Sequence, residues 1–327
     1  YDTVYYTHFG PVMYDDTFRP DSERKFYALR WIAHDISGEA LAFYMLNRAK
    51  NHNDYMNALD NYVSPAQNFA FAAASGDIAM RIQGKYPLKA FEQGKFLQDG
   101  TTTRYDWSFI PNDQNVMYKN PERGFVASAN QYPADSTYPY YIHATSYEMY
   151  RNRRINERLT EMSDITQQDL MKLQNDNYNL KAAESLPYFL STLEGMELSD
   201  EALAVKKVLE AWDYHNEVDA RGASYYELWW DTLIPLLWDE MVGQDMALSR
   251  PTTYTTIKLL KEQPDLALFD NASTEAIESG PDMIRKSFQL MVEEMAEWQA
   301  TNGEAAWAAY KGCLLYTSDA ADDLVSV

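Results

Sequence analysis

Apolar and polar positions change their spacing along the chain, and the change divides it. Residues 4–14 are rich in β-branched and aromatic side chains on either side of Gly10-Pro11, which predicts a strand, a turn and a second short strand. From Ser37, a suitable helix cap, Leu41, Tyr44, Met45, Ala49, Tyr55, Met56 and Leu59 trace a stripe of helical period, predicting one helix to about residue 62. Residues 67–74 and 78–84 then alternate as strands around Ser75-Gly76-Asp77, a hairpin signal. In residues 125–130, Phe125, Ala127 and Ala129 fall on one face of an extended chain, and Val126, Ser128 and Asn130 on the other. Beyond residue 145 the period becomes helical. Thr166 with Asp169, Ser199, Ser224 and Pro281 mark helix starts, while Pro187 and Pro235 should kink or break two of the helices. The pattern predicts an α+β chain, with strands mostly before residue 130, as part of a layered sheet, and a mainly helical region after it.

Two polar residues sit oddly in this pattern. Asn130 ends the predicted strand with an amide among small neighbours. Arg151 falls in a four-residue repeat with Tyr147, Ile155 and Leu159, so a guanidinium interrupts an otherwise apolar helical stripe. A charge turned towards a core must be paired and hydrogen-bonded, so Arg151 either anchors a structural ion pair or faces a polar cavity.

Composition narrows the classes. Apolar residues make up 46% of the 327, and 14% are aromatic, which is the composition of a folded chain despite a net charge of -21. No apolar run is long enough for a membrane span, and the acidic balance argues against nucleic acid as a partner. The five histidines, at 8, 34, 52, 143 and 215, have no paired ligand spacing, and no phosphate-binding or dinucleotide fingerprint follows a strand. His8 reads as a packed histidine and Glu293-Glu294 as a solvated helix face.

The order of short motifs carries a resemblance. Asn120-Pro121, Gly124 and the run Phe125 to Asn130 give N-P-x-x-G-F-V-A-x-A-N, and Arg151, Arg154, Ile155 and Leu159 give R-x-x-R-I-x-x-x-L. Upstream lie P-x-Q-N at Pro65–Asn68, G-x-x-P at Gly84–Pro87, Asp99-Gly100 and Asp106-Trp107. This series resembles the penicillin acylase family of N-terminal-nucleophile amidohydrolases, over roughly residues 1–312. Two positions depart from the family pattern: Phe9 separates His8 from Gly10, and Lys89 stands where arginine is common.

The resemblance implies an enzyme hydrolysing the amide bond of a small-molecule N-acyl substrate: a β-lactam side chain, an acyl-homoserine lactone or another acylated amine. It implies a nucleophilic serine whose free α-amine is its base, an oxyanion-binding asparagine at Asn130, and an orienting arginine at Arg151. The serine has no counterpart here, so the chain is expected to be an internal, inactive piece of a catalytic subunit whose upstream segments are its partners. Residues 1–145 are expected to hold the sheet-containing part and residues 146–312 the helical part. Residues 313–327 resemble the translation of a sequencing adapter and are set aside as not native, and with them the single cysteine, Cys313. No cofactor is expected; some relatives bind calcium, but Tyr140, Tyr141 and Ile142 stand where they place an aspartate ligand. Export to the periplasm or beyond is implied by the family. The alternative is a helical extracellular glycan-binding protein without catalytic activity, which would need Trp229, Trp230 and Trp238 clustered at the surface.

Overall fold

The computed structural model describes residues 3–14, 26–90, 93–94, 96–142, 148–241, 250–271 and 273–312. The adapter-like residues 313–327 and Tyr147 lie outside them. The chain forms two compact units, residues Tyr1–Met162 and Ser163–Val327.

In the first unit, Gly10 sits at the turn of a small antiparallel sheet, β1 (Tyr6–Thr7), β2 (Gly10–Met13) and β3 (Tyr27–Ala28). Its φ of +130° and the nearby Leu29 carbonyl leave no room for a side chain. The predicted single helix is instead two, α1 (Glu39–Leu46) and α2 (His52–Leu59). Asn51 is the reason: its side chain accepts from the Asp54 amide and starts a new helix. The proposed stripe therefore does not run through both, and Leu41 and Tyr44 are exposed while Ala42, Tyr55, Ala58 and Leu59 are buried.

The hairpin forms as read. Strands β4 (Gln67–Ala72) and β5 (Ile78–Gln83) pair antiparallel from Gln67↔Gln83 to Ala72↔Ile78, with Gly76 at φ +89° in the turn. A short pair, β6 (Pro87–Leu88) and β7 (Ser108–Phe109), follows, and β8 (Met117–Lys119) then pairs with β5. As the central strand, β5 buries Ala79, Met80, Arg81 and Gln83. The Arg81 guanidinium donates to Asp60 at 3.0 Å and to the Asn112 carbonyl at 2.9 Å, so this buried charge is both paired and hydrogen-bonded. The unit closes with α3 (Tyr150–Glu161).

The second unit is helical: α4 (Gln167–Gln174), α5 (Leu180–Thr192), α6 (Asp200–Ala211), α7 (Arg221–Leu237), α8 (Thr253–Glu262), α9 (Gly280–Asn302) and α10 (Trp307–Lys311). Capping boxes form at Thr166 with Asp169 and at Ser279 with Asp282, and Ser199 caps α6. Ser224 does not start α7; it lies buried within it, because the helix begins at Arg221. Pro187 and Pro235 stand inside α5 and α7 on exposed faces, and both helices continue through them. Trp229 centres the core: its indole donates to Ser287 at 3.0 Å, and its ring meets Phe288 and Phe189. Trp229, Trp230 and Trp238 are all buried, so they offer no platform for stacking sugars. Among the described residues no helix is long and apolar enough to cross a membrane.

Candidate active site

Residues 125–130 do not join a sheet. A strand needs a backbone partner, and the contact with β4 runs through side chains instead, Asn68 Nδ2 donating to Ser128 Oγ at 2.6 Å. The segment lacks the predicted two-faced alternation: Phe125 to Ser128 are half-buried and Ala129 is buried. Local bonds fix its end. Gln131 Oε1 accepts from the Ala129 amide at 2.7 Å, and Asn130 takes the left-handed conformation, φ +63°, which asparagine tolerates better than most residues.

Arg123 ties the segment to α3. Its guanidinium donates to the Phe125 carbonyl and to Asn156 Oδ1, both at 3.0 Å, and covers the Phe125 ring at 4.7 Å. Sequence reading passed over this residue, although its place inside the N-P-x-x-G turn was the available signal.

Arg151 is not on a buried stripe. It is exposed in the first turn of α3, a helix with no buried residue and no side-chain cap, and among the described residues it makes no ion pair. Its Nη2 donates to Asn130 Oδ1. The first turn contains no acid but carries Arg151 and Arg153, an arrangement the helix dipole disfavours. Local stability does not account for the placement of that guanidinium; the contact with Asn130 does.

The pairing also fixes the amide. Arginine has no acceptor, so the atom facing it must be the amide oxygen, and the Asn130 Nδ2 group is turned elsewhere. Among the described residues Nδ2 has no hydrogen-bond partner. The pair thus presents a polarised N–H donor whose other end is held by a cation, which is what a developing oxyanion requires. Among the described residues of the loop beyond it, Tyr138 and Tyr140 bond their hydroxyls to Gln114, and residues 140–142 carry no carboxylate.

Comparison with known proteins agrees with this reading of the fold. An acyl-homoserine lactone acylase, QuiP, from Pseudomonas putida is 31% identical over 145 residues, 43% of this chain and 17% of that protein. QuiP from Pseudomonas fluorescens is 27% identical over 186 residues, 56% of this chain and 22% of that protein. The penicillin acylase 2 proenzyme of Pseudomonas sp. SE83 is 23% identical over 185 residues, 56% of this chain and 24% of that protein. The matched stretch thus spans a quarter or less of each of these relatives. Among solved structures, thermostable penicillin G acylase from Alcaligenes faecalis superposes with a TM-score of 0.68 at 16% identity, covering 94% of this chain and 59% of that one. The sequence pattern that defines the family described as Penicillin amidase matches residues 1–316, and the chain belongs to that family.

Proposed function

We propose that the complete protein hydrolyses the amide bond of an N-acyl substrate, with this chain supplying the oxyanion donor and its holder. A serine upstream attacks the acyl carbonyl and gives its proton to its own α-amine. The carbonyl oxygen, now negative, accepts from Asn130 Nδ2, while Arg151 keeps the amide oxygen turned away. Collapse of the intermediate breaks the C–N bond, the departing amine takes the proton, and water then releases the acyl group from the serine.

The observation that carries the reading is the direct bond from Arg151 Nη2 to Asn130 Oδ1. An acylated amine as substrate is supported by the relatives, two named acyl-homoserine lactone acylases and one a penicillin acylase proenzyme. The word proenzyme also supports maturation from a precursor, and export to the periplasm belongs to the same reading. Expressing the full coding sequence and assaying release of free amine from acyl-homoserine lactones and penicillins is the test. Amide turnover that disappears when the upstream serine becomes alanine supports the proposal; absence of turnover on every N-acyl substrate, with the protein folded and processed, contradicts it.

A further inference from the structure

A second feature of the first unit is unrelated to Asn130 and Arg151 and shares no residue with them. Between the β1–β3 sheet and residues 96–107 lies a cavity of about 620 Å³, within the range of small-molecule sites, walled by Phe9, Phe26, Phe96, Tyr105 and Trp107. Arg30 also borders it, with its guanidinium over the Trp107 ring at 5.1 Å; both terminal nitrogens bond Asp35, at 3.0 and 3.2 Å, and Lys85 shares the same carboxylate. The polar groups Thr7 and Gln93 are satisfied by nearby backbone.

Lys89 is the exception. Its ammonium lies 5.7 Å from the centre of the Trp107 ring, and it is the nearest group to Gly94, 3.1 Å from where a Cβ would stand; Trp107 and Gly94 both line the cavity. The side chain is half-buried, and burial holds its pKa below the ordinary lysine value. Among the described residues it has no carboxylate and no hydrogen-bond acceptor, only the ring. A partly desolvated cation with no anion among the described residues, at the edge of an aromatic cavity where Arg30 and Lys85 already outnumber the single Asp35 carboxylate, is complementary to an amphipathic anion.

We propose that this cavity binds an amphipathic carboxylate, its apolar body among Phe9, Phe96 and Tyr105 and its carboxylate on Lys89. Calorimetric titration of the chain with 4-phenylbutyrate and with the neutral 4-phenylbutan-1-ol tests it. The acid should bind at least about tenfold more tightly than the alcohol, the ratio expected for one hydrogen bond to a charged group. Lys89→Met should remove that preference, and Lys89→Arg should keep it. Gly100→Leu should abolish binding of both: Gly100 lines the cavity, and a Cβ there meets nothing nearer than Phe9 at 4.0 Å, so the branch begins in open space. Circular dichroism of each variant confirms folding. Equal affinity for acid and alcohol, undiminished acid binding in folded Lys89→Met, or undiminished binding in folded Gly100→Leu would each overturn the assignment, as would no binding at all.

Discussion

A primary amide has an acceptor end and a donor end, and which one it offers depends on what holds the other. In Asn130 the guanidinium of Arg151 holds the oxygen, so the donor is the free end. Replacing Arg151 by lysine keeps the charge but loses the planar fork that fixes the amide plane. In the complete enzyme, Arg151→Lys should lower kcat by about tenfold, the cost of one weakened charge-assisted bond, with KM changed less. Steady-state kinetics on one acyl substrate decides it, and an unchanged kcat would remove Arg151 from the mechanism. The spacing in the sequence singled out Asn130 and Arg151 but misjudged why the arginine is odd. Among the described residues of this unit the buried arginine is Arg81, on the central strand and paired with Asp60. Nothing in the local pattern distinguishes the two, because whether a charge is buried depends on which strands flank it, and that pairing is non-local.

Elements were legible where their ends carry chemistry of their own. The capping box at Thr166, the helix start at Pro281 and the hairpin at Gly76 formed as written, and the Ser279 box adds a cap that was not read. The stripe read through residues 37–62 was cut by a cap at Asn51, and neither proline breaks its helix. In α5 the Lys261 ammonium donates to the Glu184 carbonyl, in the turn before Pro187, where the proline weakens the helix ladder. In α7 the buried face of Trp229, Trp230, Leu233 and Leu237 holds the helix together while Pro235 faces out.

Two stability predictions belong at the scale of elements. Gly222 lies against Trp212, 2.4 Å from where a Cβ would stand, so Gly222→Ala should destabilise by about 1–3 kcal/mol despite its better helix propensity, as urea unfolding would show. The second prediction concerns the start of α9, where the Ser279 hydroxyl and amide, with Arg285, hold the Asp282 carboxyl below its ordinary value of 3.8. A depressed carboxylate adds stability that is complete above the unfolded value and is lost as pH falls through the lower, folded one. Thermal unfolding between about pH 5 and pH 2 should therefore lose stability more steeply in the parent than in Asp282→Asn; equal slopes would show that the capping carboxylate contributes nothing.

For the whole molecule, the resemblance in motif order singled out Asn130 and Arg151, and the structure bonds that pair directly. Motif order suggested the amidohydrolase family from the chain alone, and the family pattern over residues 1–316 establishes it. The contact between the two chosen side chains was implied by the resemblance alone, since it depends on a left-handed residue and an uncapped helix start that no periodicity encodes. The net charge of -21 bears on solubility rather than on catalysis. The measurement that tests the central claim most directly is kcat of Asn130→Asp in the complete enzyme, with thermal stability measured beside it. Aspartate preserves an acceptor for Arg151 but replaces the donor by an anion. The account predicts a fall in kcat of at least about 10² to 10³, the loss typical of one oxyanion donor, with folding nearly intact; an aspartate variant that retains most of the parent turnover would contradict it.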